Sequence, residues 1–296
     1  VTAALRFALP FPSEMDASKP PAGTPQGAVE RTVLRRREGR VERARDQVAE
    51  EVPVAFAING APFAVMMATP ADLGDFALGF ALSEGIVADA SELKVDAIDA
   101  SLEGVSIALT VPPARAALLD ARRRSLEGRS GCGLCGTAAI EAVLRPPPTV
   151  GDGPFVTEAA LGRALLELQR RQPLNALTGA THAVGWANPE GRVLLVREDV
   201  GRHNALDKLV GALARQGFDP SDGFAVATSR ASYEMAMKAA QAGITLLAAI
   251  SAPTALAIAL AESCGLTLVG FARADGHVVY SHPRRLRGDA APEAAA

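Results

Sequence analysis

Residues 225–272 read AVATSRASYEMAMKAAQAGITLLAAISAPTALAIALAESCGLTLVGFA, and their pattern decides the fold. Short β-rich runs at 225–228, 244–250 and 267–272 alternate with helical stretches at 232–241 and 253–262. Apolar runs this short suit strands buried on both faces, and the helices between them have to lie against those faces. An α/β class with a mostly parallel, doubly covered sheet is the expectation.

Working outward, the alternation extends back through a helix at 157–171, strands at 183–187 and 193–196 around a turn at 188–191, and a helix at 204–215. It closes forward through Asp275-Gly276 into a strand at 277–280. Pro146, Pro147 and Pro148 interrupt the chain and mark a boundary near 150. Before it, runs at 52–58 and 62–68 flank Asn59-Gly60, the strongest short hairpin signal. Thr69 and Pro70 read as N-cap and first residue of a helix reaching about Glu84 and stopping at Gly85. A second hairpin is expected at 94–111 around Glu103-Gly104, then a basic helix at 114–124 and a short helix at 137–144.

The division expected is a mostly disordered tail over 1–45, an α+β subdomain over 46–150, an α/β domain over 151–287 and a second tail over 288–296. The basic run 31–45 reads as a solvated surface, or as a strand with a turn at Glu38-Gly39.

Bulk properties narrow the function. A formal charge of −3 and a pI near 5.9 give no general positive field, so nucleic acid is not an expected partner and any anion site must be local. The longest apolar stretches fall far short of a membrane span, and no basic leader precedes a long apolar core; cytoplasm is the default. Three cysteines make a poor disulfide framework, and two of them form a CxxC.

That pair, Cys132 and Cys135, lies in SLEGRSGCGLCG at 125–136, where Gly131, Gly133 and Gly136 free the backbone to expose the sulfurs. Structural zinc needs four ligands and finds only Cys264 besides, so no metal site is expected. A thioredoxin-like dithiol normally opens a long helix after a strand, whereas this pair sits in a glycine-rich loop. Persulfide transfer needs a nucleophilic thiolate on an exposed loop that visits donor and acceptor in turn. Arg129 and the expected helix start after Gly136 favour the thiolate, with Cys132 as nucleophile. Cys264, in an apolar context, reads as a buried small side chain.

Three strand-to-helix turns carry anion-binding character. The first places Arg202 and His203 after Asp199, the second Ser229 and Arg230 after Thr228, and the third Ser251 and Thr254 around Pro253. Turns at carboxyl ends of strands would line one crevice. Each alone reads equally as a helix cap, through Asp199, Ser229 or Ser251. His203, sharing its turn with Arg202, is a proton-transfer candidate, whereas His182, His277 and His282 read as ordinary surface or satisfied histidines. No GxGxxG or GxxxxGK[ST] follows a strand, so neither a Rossmann site nor a P-loop is supported.

GRSGCGLCG at 128–136, REDVGRHNALDKLVG at 197–211, the stretch 229–262 and LTLVGFAR at 266–273 resemble the FdhD family of formate dehydrogenase accessory sulfurtransferases. EEVPVAFAING at 50–60 and GFALSEGIV at 79–87 extend the likeness to roughly 45–287. The resemblance implies a cytidine-deaminase-like three-layer α/β/α core with an N-terminal α+β subdomain, assembled as a homodimer. It implies a sulfur carrier that takes sulfur from a cysteine desulfurase and sulfurates the molybdenum cofactor, in its bis(molybdopterin guanine dinucleotide) form, before insertion into the formate dehydrogenase apoprotein. By motif, Cys132 bears the persulfide with Cys135 as partner, and Phe271, Ala272, Arg273, Ala274, Asp275 and Gly276 contact the guanine dinucleotide. An acidic Asp275 beside a phosphate is unfavourable, so its side chain is expected to turn outward or meet a guanine edge. A non-catalytic cofactor chaperone and a CxxC dithiol oxidoreductase are the alternative readings. Neither H-x-E nor P-C-x-x-C occurs, so zinc deamination is not supported.

Overall fold

The computed structural model describes residues 25–119 and 147–288. Order begins earlier than composition suggested. Strands β1 (Ala28–Arg37) and β2 (Arg40–Ala49) form a separate two-stranded antiparallel ribbon. Its turn is Glu38-Gly39, with φ of 49° and 78°, the two left-handed residues a tight hairpin needs. The tail expected through residue 45 is therefore a strand pair from 28 onward. Charges fill both faces of the ribbon, which is why its composition looked like solvated coil.

The N-terminal subdomain has four strands, β3 (Val52–Ile58), β4 (Ala61–Ala68), β5 (Lys94–Ser101) and β6 (Gly104–Thr110), in the order β4-β3-β6-β5. Asn59-Gly60 closes the first hairpin with φ of 49° and 81°, and the Asn59 amide group also exchanges two hydrogen bonds with the Val111 backbone. Helix α1 (Leu73–Ser83) lays Phe76 and Phe80 on Phe56, with ring centroids 5.3 and 4.6 Å away. Each of these buried rings contributes about 1.5–3 kcal/mol by leaving water. The expected cap is corrected: α1 starts after Asp72, which is left-handed at φ 53°, while Thr69 is fully buried and bonded elsewhere. The helix expected at 114–124 begins at 113 and is described to 119; the one at 137–144 lies outside the described residues.

In the second part β7 (Val156–Thr157) pairs with a late strand, β14 (Leu286–Arg287). Helices α2 (Glu158–Arg170) and α3 (Pro173–Thr178) precede β8 (His182–Ala187) and β9 (Val193–Asp199). Then come α4 (Arg202–Gln216), β10 (Phe224–Ala227), α5 (Tyr233–Gln241), β11 (Leu246–Ala249), α6 (Ala255–Cys264), β12 (Thr267–Arg273) and β13 (Gly276–Ser281). The side chains of Thr157, Ser232 and Thr254 cap α2, α5 and α6.

The six strands lie in the order β13-β12-β11-β10-β8-β9. Here the expectation of a mostly parallel sheet is corrected, because only two of the five ladders, β10–β11 and β11–β12, are parallel. The loop between β8 and β9 and the turn between β12 and β13 are too short for a crossover, which forces antiparallel pairing. Two apolar layers cover the sheet. Leu206, Leu209, Met235 and Leu260 of α4, α5 and α6 pack on one face, and Leu161, Leu165 and Leu168 of α2 on the other, giving the three-layer α/β/α core.

The two parts share a seam between α1 and α4. A Cβ on Gly79 would stand 1.6 Å from the Asp207 carbonyl oxygen, and one on Gly211 1.9 Å from that of Asp75, so the helices touch backbone to backbone. Arg197 and Arg215 both donate to Asp75 across that seam, at 2.6 and 2.7 Å. No helix among the described residues is long and apolar enough to cross a membrane.

Candidate functional site at the carboxyl edge of the sheet

Sheet directions gather the predicted turns. Since β8 opposes both β9 and β10, the carboxyl ends of β9, β10, β11 and β12 fall on one edge, together with the starts of β8 and β13. The second and third turns are stitched by a bridge between Ala231 and Pro253, and the Thr254 N–H donates to the Ala231 carbonyl at 3.1 Å.

Asp199 closes β9 fully buried. It accepts from Thr69 N–H (3.0 Å), Lys208 Nζ (2.6 Å), Gly201 N–H (2.8 Å) and Asn204 Nδ2 (2.9 Å). With all four acceptor directions used, it orders the turn and is neither the cap of α4 nor a ligand group. Gly201 holds the cap position without a side chain, so the α4 N-terminus keeps its anion-attracting character.

Arg202, the first residue of α4, carries a buried Nε with no hydrogen-bond partner. A buried donor left unpaired costs about 1–3 kcal/mol, which an arriving anion would recover. His203 Nε2 lies 3.2 Å from Ser232 Oγ and 2.9 Å from Glu234 Oε2. Burial drives its pKa down to about 4; Glu234 opposes this, and Arg202 and Lys238 add to it. His182, at the start of β8 and paired with Asp199 across the ladder, is lowered first by burial and then by Arg202. Both imidazoles are thus neutral near pH 7 beside a guanidinium.

Ser229 is buried and donates to the Arg230 carbonyl at 3.1 Å, while the Arg230 side chain is exposed. Ser229 is not a cap, since Ser232 caps α5. Ser251 contributes its carbonyl, which accepts from Phe271 N–H at 3.2 Å, and Thr254 caps α6 in its place. Phe271 is left-handed at φ 49°, a conformation that costs a bulky residue about 1–3 kcal/mol, and holds its ring half exposed. Ala272 is buried in the sheet. Arg273 donates to the carbonyls of Ile250 and Ala272. Ala274, Asp275 and Gly276 form the tip of the β12–β13 hairpin and, with Arg273, His277, Glu158 and Ala159, line a cleft of about 530 Å³. Arg202 and His203 do not line that cleft, so the candidates divide between two places along one edge. A hollow of about 440 Å³ near Leu82 and Phe218 carries none of these groups.

Cys132 and Cys135 lie outside the described residues. Cys264 ends α6 buried, and burial raises its thiol pKa. Sequence reading missed His182, which looked like an isolated histidine and joins the edge only through strand register. It also missed Thr69, whose N–H, Oγ1 and carbonyl serve Asp199, Val200 and Lys208.

Residues 49–287 match the family model described as the FdhD/NarQ family. The chain is 65% identical over 260 residues to the "Sulfur carrier protein FdhD" of Xanthomonas campestris pv. campestris (strain B100), covering 88% of this chain and 92% of that one. It is 55% identical over 259 residues to the protein of the same name from Cupriavidus necator, covering 87% and 90%. A crystal structure of a candidate formate dehydrogenase accessory protein from Desulfotalea psychrophila superposes with a TM-score of 0.69 at 25% identity, covering 88% of this chain and 99% of that one. By the extent of the family match and by these identities, the chain belongs to the FdhD/NarQ family.

Proposed function

We propose that this chain is a cytoplasmic sulfur carrier in formate dehydrogenase maturation, with Cys132 as the carrying residue and the molybdenum cofactor, in its guanine dinucleotide form, as acceptor. The observation that carries the reading is the CGLC sequence at 132–135 in a chain 65% identical to a named sulfur carrier.

In the first step the Cys132 thiolate attacks the terminal sulfur of a cysteine desulfurase persulfide. A Cys132 Sγ–S bond forms, the donor's S–S bond breaks and the donor cysteine leaves as thiolate. In the second step the Cys135 thiolate attacks Cys132 Sγ. A Cys132–Cys135 disulfide forms, and the carried sulfur leaves with the bonding pair as hydrosulfide. Hydrosulfide together with one proton from solvent would replace an oxo ligand on the acceptor's metal, the oxygen leaving as water, and an external dithiol would reduce the disulfide.

The sheet edge holds the acceptor. Arg202, Ser229, Arg230 and the α4 N-terminus suit its phosphates, and the stretch from Phe271 to Gly276 suits its guanine end. Neutral His203 is positioned to move a proton at Nε2 between Ser232, Glu234 and the ligand.

Incubating the chain with a desulfurase and cysteine should add about 32 Da, removable by reductant. The adduct should vanish in Cys132→Ala, and that variant should fail to restore formate oxidation to a deletion strain. An adduct that survives in Cys132→Ala, or full restoration by that variant, would overturn the assignment.

A further inference from the structure

The β1–β2 ribbon is ten residues long on each strand, roughly 34 Å, and is held to the body mainly at its base. There Gln26 Nε2 donates to the Pro70 carbonyl at 2.8 Å and Gly27 abuts Thr69. Beyond that base Leu34 and Val41 are 63% and 53% exposed. A two-stranded ribbon is marginal in water on its own, and neither of its outer edges pairs with another strand among the described residues. Residues 28–49 hold seven arginines against four acidic residues, net +3, in a chain whose total is −3; the remainder therefore carries −6.

A complementary surface exists on the same molecule. Strand β5 ends the four-stranded sheet and, among the described residues, pairs only with β6, which leaves its other edge without a described strand partner. Ile98 faces the buried Ile107 across that ladder yet is itself 38% exposed, since no described strand lies beyond it. Residues 89–103 hold five acidic residues and one lysine, net −4, with Asp99 and Glu103 both exposed.

We propose that the outer edge of β5 receives the β1–β2 arm of a second copy, each copy giving one arm and accepting one. Backbone pairing supplies the affinity, the arginines fix register against Asp99 and Glu103, and Leu34, Val41 and Ile98 leave water together. The inference gives the expected homodimer a surface. It is independent of the sulfur chemistry, whose failure would be read by mass and not by association.

Sedimentation velocity of the full chain should give a dimer at micromolar concentration that weakens as salt rises. The paired change Arg36→Glu and Arg43→Glu should raise the dimer Kd at least tenfold or so, as should Asp99→Arg with Glu103→Arg, and all four together should restore association. Amide hydrogen exchange over 94–101 of the unmodified chain should slow as concentration rises, a readout that needs no variant to fold. A monomeric unmodified chain, a dimer indifferent to both charge reversals, failure of the combined variant to associate, or exchange independent of concentration would overturn the proposal.

Discussion

Lys208 Nζ lies 2.6 Å from Asp199 Oδ2, and neither side chain touches water. The ammonium also donates to the Thr69 carbonyl at 2.9 Å, so a lysine of α4 fastens the end of β9 to the residue after β4. Removing one partner strands the other as a buried charge. Lys208→Met should cost about 3–5 kcal/mol in urea unfolding, and adding Asp199→Asn should recover part of it. A loss below about 1 kcal/mol would refute this account of the pair.

His203 makes stability depend on pH. Its folded pKa near 4 lies below an unfolded value of about 6.5, so between these values the unfolded chain binds the extra proton. Its contribution is complete above about pH 6.5 and is lost as pH falls toward 4. His203→Gln should flatten the unfolding profile across that window relative to wild type. An NMR titration of the ring should give a midpoint near 4, lower still in Glu234→Gln, since Glu234 holds the value up.

The α1–α4 seam leaves no room for a methyl group. Gly79→Ala and Gly211→Ala should each destabilise by about 3 kcal/mol or more, because what an added Cβ meets is backbone and cannot rotate away. Gly217→Ala, with open space around its Cβ and a left-handed φ of 71°, should cost only about 1 kcal/mol. Thermal unfolding of the three variants decides it, and similar losses in all three would contradict the packing argument.

Thiol labelling should separate the cysteines. Cys264 is 2% exposed and its thiol is pushed up by burial, so iodoacetamide at neutral pH should leave it unmodified until the chain unfolds. Cys264→Ser should label to the same extent as wild type. A fall by one equivalent would place Cys264 at the surface.

Local chemistry made much of this fold readable. Asn59-Gly60 forced a hairpin by its left-handed backbone, and the helix starts read near 157, 232 and 253 fall within two residues of the observed ones, although the capping hydroxyls are those of Thr157, Ser232 and Thr254 and not those of Ser229 and Ser251. Strand order was not readable, because nothing within 182–199 says that β8 inserts antiparallel between β9 and β10. The same limit hid His182, whose place opposite Asp199 is a matter of register. Asp199 looked like a cap because its true partners, Thr69 and Lys208, come from another subdomain and from nearly two turns into the following helix. Arg202 and His203 were legible as edge residues, since a strand end followed at once by a helix start leaves them little other place to go.

The glycine seam also settles how the molecule could respond to a ligand. With two helix backbones in touch and Asp75 gripped from both sides, the halves have no freedom to part like jaws. Whatever settles on the sheet edge meets a rigid bench, and scattering curves with and without guanine nucleotide should overlay at small angle. Selectivity for such a ligand would then come from the fixed positions of groups along that bench, not from the body closing around it.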